Sequence, residues 1–233
     1  MKYLAIIAAT LLSTSAFAAD MANKAPPAPV FGSYVTGGCG WYFGINSMGS
    51  TNRINGGVVG ENIVQGDLGL TAGYGCPIGG TPGSFWFAEG NFDWANLNGA
   101  TNGLGLTGPI HLEQRIGLGS PISTMLSMFP GLNGLSVPAM PALPNGITAG
   151  PSYPFIFASL HERDVSAQFP GVASNREWLI SPGIGIGLES RLSNAVVAET
   201  AVQYMLDSNG MSLGPVHDFK FGNGVEVSFT LKY

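Results

Sequence analysis

The sequence predicts an all-β protein, a closed antiparallel up-and-down transmembrane β-barrel of about eight strands with a polar, filled lumen. Three observations support this prediction: an export signal, a shortage of charged residues, and a hydropathy that alternates with a period of two. Charged residues are 10% of the 233 residues, compared with about 25% in soluble domains. This shortage suits a wall that faces lipid, where a charged side chain costs about 2–4 kcal/mol near the midplane.

The first residues have the features of an export signal. Lys2 precedes an apolar run at 4–12, and residues 16–18 have the A-x-A spacing of a cleavage site. The run is much shorter than the roughly 20 residues of a membrane-spanning helix. We therefore expect a signal peptide at 1–19, a Pro-rich periplasmic lead-in at 20–39 and an outer-membrane barrel at 40–233.

Four segments alternate clearly between apolar and polar residues, as tilted membrane strands do. They are 86–94, 110–118, 198–204 and 225–233. In the last of them, every second residue from Val225 to Tyr233 is apolar or aromatic, while Glu226 and Lys232 lie on the other face. Such segments of about ten residues are long enough for a tilted strand to cross a bilayer.

Four weaker segments, 40–47, 66–76, 153–160 and 177–189, complete the predicted eight strands. Pro182 lies within the last of these segments, and we expect a bulge there, because a closed barrel has no free edge for a missing N–H.

The lengths of the connections predict the orientation of the barrel. Long outer loops are expected at 48–65, 95–109, 161–176 and 206–223, and short turns at 77–84 and 190–194, which places both chain termini in the periplasm. One inserted segment, 120–152, is uncharged and rich in Pro, Gly, Leu and Met. It is compatible with a structured periplasmic excursion, a plug in the barrel mouth, or an error in the strand count.

A set of polar residues falls on the inward face of the predicted strands. The lumen of an eight-stranded barrel is wide enough only for side chains, so we expect a hydrogen-bonded ionic network in which Arg115 and Lys232 are the cations. The alternative interpretation is a narrow cation pathway lined by the acids. The set consists of Glu89, Asp93, His111, Glu113, Arg115, Glu177, Glu189, Glu199, Gln203, Glu226 and Lys232.

Aromatic residues lie near both ends of the predicted strands, where they are expected to anchor the barrel in two interfacial girdles. These residues are Trp41, Tyr42, Trp86, Trp94, Trp178, Tyr204 and Tyr233.

The two cysteines, Cys39 and Cys76, lie at the start of the first predicted strand and the end of the second. Antiparallel pairing brings both to the periplasmic rim, where a disulfide is compatible with an oxidising compartment, although two free buried thiols fit the sequence equally well. The sequence indicates no metal site, no cofactor and no basic cluster for nucleic acid.

Two short matches to enzyme motifs are explained by chance in a chain with 35 glycines. Residues 103–108 fit G-x-G-x-x-G but lead from a loop into a strand, the reverse of the dinucleotide-binding order. Residues 210–214 fit the nucleophile-elbow pattern but lie in a predicted loop, and His217 and Asp218 follow in the wrong order. We therefore predict no catalytic residue.

Several of these pieces resemble one family, the small alphaproteobacterial porin-like outer-membrane proteins, also called outer-membrane immunogenic proteins, of the OmpA-like barrel type. The matching pieces are the cleavage region 18–20, the segment 24–30 (KAPPAPV), the first strand at 40–44 (GWYFG) and the C-terminal segment 225–233. The resemblance implies structural, envelope-integrity or surface-contact roles without a catalytic site. It also implies that the final strand, ending at Tyr233, is read by the barrel-assembly machinery.

Four functional hypotheses follow. The first is a non-enzymatic barrel in the outer-membrane lipid with a structural or surface-interaction role, and the second is a small porin-like channel for ions or small solutes. A lipid-modifying enzyme would need a Ser or His with a carboxylate at the lipid-facing rim, and a soluble periplasmic β-protein would be recovered without detergent. The oligomeric state and any ligand of the outer loops are not predicted.

Overall fold

The structure, a computed structural model, describes residues 38–55, 62–79, 83–101, 104–121, 152–168, 174–192, 196–213 and 216–233. The predicted signal peptide, nearly all of the lead-in and nearly all of the 120–152 insertion lie outside the described residues. Within the described ranges, no helix is long and apolar enough to cross a membrane.

The described chain consists almost entirely of strands, each antiparallel to its neighbours. The strands are β1 Gly40–Asn55, β2 Asn62–Pro77, β3 Phe85–Thr101, β4 Leu104–Gly119, β5 Ser152–Gln168, β6 Asn175–Arg191, β7 Val197–Met205, β8 Met211–Leu213 and β9 Val216–Lys232.

The strands close into a ring, which confirms the predicted all-β up-and-down barrel. Each strand from β1 to β7 pairs with the next, β7 and β8 both pair with β9, and β9 pairs back with β1. Since β7 and β8 follow one another along the same edge of β9, the ring has eight strand positions. Phe43 N donates to Tyr233 O at 3.1 Å and Tyr233 N to Phe43 O at 2.7 Å. We call the end of the barrel where β1 begins and β9 ends the proximal rim, and we call the opposite end the distal rim.

Pro182 does not produce the expected bulge, because β5 and β6 pair in continuous register along its whole neighbourhood. The partner on its other side, β7, ends at Met205, and Leu206 N donates to Pro182 O at 2.8 Å. The N and O of a strand residue point to the same neighbour. The missing N–H of Pro182 therefore faces the point where the partner strand stops.

The strands are longer, and the distal connections shorter, than the sequence predicts. β1 has 16 residues and β3 has 17, whereas segments of about ten residues were expected to cross the bilayer. The ranges 48–65, 95–109, 161–176 and 206–223 are mostly strand. The prediction of long distal loops is therefore wrong.

The outer wall carries an apolar belt in its proximal part. Ile184 and Ile186 on β6 are each 66% exposed, and a continuous exposed apolar surface of this kind is rare on a soluble monomer. Beyond the belt, toward the distal rim, polar residues such as Thr51 and Arg53 on β1 join the outward face, although Val64, across from Thr51, is apolar and 74% exposed. Members of the belt are Trp41, Phe43, Ile45, Leu68, Leu70, Trp86, Phe92, Ile116, Leu118, Ile156, Leu160, Ile184, Ile186, Val202, Val225, Val227 and Phe229.

The interior is filled in three layers. A proximal aromatic layer contains Tyr42, Phe85, Phe87, Phe155, Phe157 and Ala201. A distal apolar layer contains Ile54, Ile63, Leu106, Val165, Ala167, Leu179, Met211, Phe219 and Phe221. Between them lies a layer of buried polar and charged side chains, which is described in the next subsection.

Glycines make room for the rings of the proximal aromatic layer. Phe157 lies directly across from Gly185 on the neighbouring strand, and a Cβ at Gly185 would overlap the phenyl ring. Each inward ring therefore covers a cross-strand glycine, which explains part of the high glycine content. The pairs are Tyr42–Gly73, Phe85–Gly119, Phe87–Gly117, Phe155–Gly187 and Phe157–Gly185.

Candidate functional site in the barrel interior

The polar layer contains more buried acids than buried cations. Apart from Asp164, which is buried on the outer wall, the described residues include seven buried carboxylates against three buried cations, Arg115, Arg163 and Lys232. A charge removed from water is costly unless it is paired and hydrogen-bonded, so the arrangement of the three cations determines the layer. The carboxylates are those of Asp67, Glu89, Asp93, Glu113, Glu189, Glu199 and Glu226.

Arg115, on β4, lies at the centre of the layer. Its Nε is 2.7 Å from Glu113 Oε1, and its Nη1 is 3.0 Å from Glu199 Oε1 and 3.6 Å from Glu89 Oε1. Its guanidinium carbon lies 4.9 Å from the centre of the Phe157 ring. One cation thus links acids from β3, β4 and β7 and stacks on the proximal aromatic layer.

Lys232, on β9, forms a second centre at the proximal side. Its Nζ is 2.8 Å from Glu89 Oε2 and 3.0 Å from Glu189 Oε1, and it also pairs with Glu199. The ammonium lies 4.6 Å from the centre of the Tyr42 ring. Tyr42 Oη in turn donates to Glu89 Oε2 at 3.0 Å.

A histidine pair forms a third centre toward the distal side. His111 Nε2 lies 2.9 Å from His161 Nδ1, and the two ring planes differ by only 19°. His111 Nδ1 lies 3.0 Å from Asp67 Oδ2, and His161 Nε2 lies 3.1 Å from Gln203 Oε1. Both rings are fully buried.

Glu226 connects the histidine pair to the rest of the layer. Its Oε1 accepts from Gln203 Nε2 at 2.5 Å, and its Oε2 lies 3.4 Å from Arg163 Nη2. Gln203 Nε2 also donates to Glu113 Oε1 at 2.6 Å. The three centres are therefore joined through Gln203 into one network.

The structure brings together most of the residues that the sequence assigned to the lumen. Glu89, Asp93, His111, Glu113, Arg115, Glu189, Glu199, Gln203, Glu226 and Lys232 are all buried in the polar layer. Glu177 is the exception: it lies near the distal end of β6, half-buried, and accepts from Asn175 Nδ2 at 2.9 Å.

Tyr42 does not belong to the aromatic girdle, contrary to the prediction. It is fully buried, because Trp41 and Phe43 occupy the outward positions on either side and alternation turns Tyr42 inward. The other predicted members point outward. Trp41, Trp86 and Tyr233 lie near the proximal rim, and Trp94, Trp178 and Tyr204 lie nearer the distal side.

The two cysteines are joined by a disulfide between Cys39 and Cys76. It connects the residue before β1 to the end of β2 at the proximal rim. The sequence was compatible with either a disulfide or two free thiols, and the structure contains the disulfide.

Sequence reasoning missed several members of the polar layer, among them Asp67, Ser159, His161 and Arg163. The two basic ones fall in a range that was predicted as a loop, 161–176. Ile156, Ala158 and Leu160 point outward along β5. Continuing this alternation to residues 162 and 164 would have placed His161 and Arg163 inside the barrel.

On the outer wall near the distal rim, Arg176 Nε donates to Asp164 Oδ1 at 2.8 Å. The hydrogen bond to Asp164 raises the pKa of the Arg176 guanidinium above its ordinary value. The pair adds polar character to the distal part of the wall.

These features define a closed eight-stranded antiparallel barrel with an apolar belt outside and a charged, filled interior. No protein-family model and no curated protein matches the sequence. The fold is similar to that of Neisserial surface protein A, with 10% identity and a TM-score of 0.45 over 84% of this chain and 97% of that chain.

The fold is also similar to that of Ail, the attachment invasion locus protein of Yersinia pestis. One structure of Ail is 12% identical, with a TM-score of 0.41 over 82% of this chain and 98% of that chain. A second, in complex with the heparin analogue sucrose octasulfate, is 9% identical, with a TM-score of 0.42 over 83% of this chain and 99% of that chain.

Proposed function

We propose that this protein is a non-enzymatic outer-membrane barrel with a structural or surface-interaction role. The observation that carries the proposal is the filled interior: charged side chains occupy the middle of the barrel, and apolar layers cover them on both sides. Such an interior supports a rigid wall. Most of its charged groups are engaged with one another, so mutual pairing in a filled interior accounts for the network without a reaction.

The outer wall supports a membrane location. A strand of 16 residues, at about 3.4 Å per residue and a tilt of about 40°, rises about 40 Å, whereas the apolar band of an outer-membrane barrel is about 25 Å tall. The belt occupies the proximal part of the wall. About 15 Å of paired, polar-walled strand therefore projects from the membrane on the distal side.

We propose that the distal side faces the surroundings and that the proximal rim, with the starts of β1 and β7, faces the periplasm. The disulfide at the proximal rim fits that oxidising compartment. A labelled epitope placed within 56–61 should react on intact cells, and one placed within 193–195 should react only after the outer membrane is opened. The reverse pattern would overturn the orientation.

Membrane fractionation tests the location. The protein should be recovered with outer membranes and require detergent, and its gel mobility should change on boiling, because a closed barrel resists unfolding in detergent. Recovery in the soluble periplasmic fraction without detergent would contradict the proposal.

The competing function is a small channel. Because apolar layers cover the polar layer on both sides, we expect the refolded protein to show no discrete openings in planar bilayers. A general porin in the same bilayers serves as the positive control. Discrete openings from the wild-type chain would favour the channel instead.

The finer assignment is membership of the small porin-like outer-membrane immunogenic proteins. It is supported by the N-terminal segment 24–30, the first strand at 40–44 and the aromatic-ended last strand. The same last strand is the proposed contact with the barrel-assembly machinery, and it pairs with β1 to complete the ring.

A further inference from the structure

The histidine pair has a hydrogen-bonding pattern that its own atoms do not satisfy. Asp67 Oδ2, a carboxylate oxygen, lies 3.0 Å from His111 Nδ1. A carboxylate only accepts, so Nδ1 of His111 carries a proton, and in the neutral ring Nε2 carries a lone pair.

The position of the proton on the His161 ring follows in the same way from the contacts of Gln203. Its amide nitrogen donates to Glu113 and to Glu226, so its Oε1 is the atom that faces His161 Nε2 at 3.1 Å. Ser159 Oγ already donates its one proton to that oxygen, at 2.6 Å. Nε2 of His161 therefore donates, and the lone pair of a neutral His161 lies on Nδ1.

With both rings neutral, two nitrogen lone pairs face each other at 2.9 Å, between His111 Nε2 and His161 Nδ1. This arrangement is repulsive unless a cation lies between them. Glu226 lies beside the two rings, and the three residues offer ligand atoms that all fall within 4.8 Å of one another.

We propose that His111, His161 and Glu226 bind a divalent d-block cation of the Zn²⁺ type inside the barrel. Two imidazoles and one carboxylate are a known donor set for zinc and leave a fourth position for water. The outer contacts also match a metal site: Asp67 orients His111, and Gln203 orients both His161 and Glu226.

More carboxylates than guanidiniums surround the proposed site. Four carboxylates, those of Asp67, Asp93, Glu113 and Glu226, lie against the site, together with two guanidiniums, those of Arg115 and Arg163. This excess of carboxylates favours a bound cation between the two rings.

The two imidazole nitrogens need only a small adjustment to bind one ion, and the Glu226 carboxylate closes in from within 4.8 Å. Two nitrogens bound to one zinc at about 2.05 Å in a tetrahedral arrangement are about 3.3 Å apart, compared with the 2.9 Å observed here. All three ligands are fully buried, so the ion would enter before the ring closes and would stay bound in the folded barrel.

The test is metal content after refolding. A chain without a polyhistidine tag is refolded in detergent with Zn²⁺, dialysed against metal-free buffer and analysed by mass spectrometry of the metal. About one zinc per chain is expected, falling to less than about a tenth in His111→Gln and His161→Gln. His217→Ala is the matched control, because it removes the third histidine of the chain and should leave the zinc content unchanged.

A wild-type barrel that holds no more zinc than the folded His111→Gln variant would overturn the proposal and leave a proton between the rings. Refolding the wild type with Co²⁺ gives a second readout that does not depend on variant folding. A visible absorption band from imidazole-bound cobalt is expected, and its absence would also overturn the proposal.

Discussion

Single buried charges determine the stability of this barrel at the scale of residues. Arg115 contacts four acids that come from β3, β4, β7 and β9, so removing it leaves several carboxylates without a cationic partner. A buried ion pair adds little stability compared with an apolar replacement of both partners, whereas loss of one partner is expensive. The network therefore makes each cation indispensable without making the layer unusually stable.

Replacing Arg115 by leucine should lower the free energy of unfolding by about 3–5 kcal/mol, because uncompensated carboxylates remain buried. The measurement is urea unfolding of the protein refolded in lipid vesicles. Arg53→Leu is the control: Arg53 is exposed on the polar part of the outer wall, and its loss should change stability by less than about 0.5 kcal/mol. Equal effects of the two substitutions would contradict the role of the network.

At the scale of elements, paired strands combine a large ring with a glycine. Phe157 lies over Gly185 across the β5–β6 pair. The narrow lumen has room for the phenyl ring because the facing position has no side chain. Four other ring and glycine pairs repeat the arrangement around the proximal half. Glycines on the inward face are therefore part of the packing.

Gly185→Ala should destabilise the barrel by about 1–3 kcal/mol, since its Cβ would displace the Phe157 ring from a filled layer. Gly90→Ala is the matched control, because a Cβ there meets nothing within 4 Å. Thermal unfolding in detergent compares the two variants. Similar melting temperatures for both would show that the inward glycines are not required by packing.

The sequence predicts only the parts of the strands in which lipid-facing and lumen-facing residues alternate clearly. At the level of the polar layer, side chains are apolar outside and polar inside, and the segments 86–94, 110–118 and 225–233 were located because that alternation is clear. In the distal part the pattern reverses, with apolar side chains inside and polar side chains outside. Ile54 and Leu179 point inward, whereas Arg53 and Arg176 point outward. A search for lipid-facing alternation therefore ends at the edge of the belt and assigns the rest to loops.

Of the interior network, the sequence could predict the members that lie on clearly alternating strands, such as Glu113 and Glu226. It could not predict which groups meet, because the contact between His111 and His161 depends on the register of β4 against β5. That register follows from the whole ring of pairings. No local pattern within either strand encodes it.

At the scale of the whole molecule, the disulfide fixes the first hairpin of the ring. It joins Cys39 and Cys76, which are 37 residues apart, at the rim where β1 begins and β2 ends. A covalent link over a loop of this length restricts the unfolded chain. The hairpin is thereby held together before the rest of the barrel assembles around it.

Replacing both cysteines by serine should lower the free energy of unfolding by about 2–4 kcal/mol under oxidising conditions. Urea unfolding in vesicles provides the measurement, and the wild-type protein treated with reductant serves as the control that should match the variant. If the oxidised wild type and the double variant unfold at the same urea concentration, the disulfide has no stabilising role.

The pairing of β9 with β1 has a consequence for how the protein enters a bilayer. Until β9 pairs with β1, the edge of β1 has a row of unpaired backbone donors and acceptors, and acyl chains cannot form hydrogen bonds with them. A partly assembled sheet is therefore unstable among lipid tails, and insertion and ring closure have to occur in one concerted event. A chain whose strands are all available at that moment closes the ring without leaving the edge of β1 exposed to lipid.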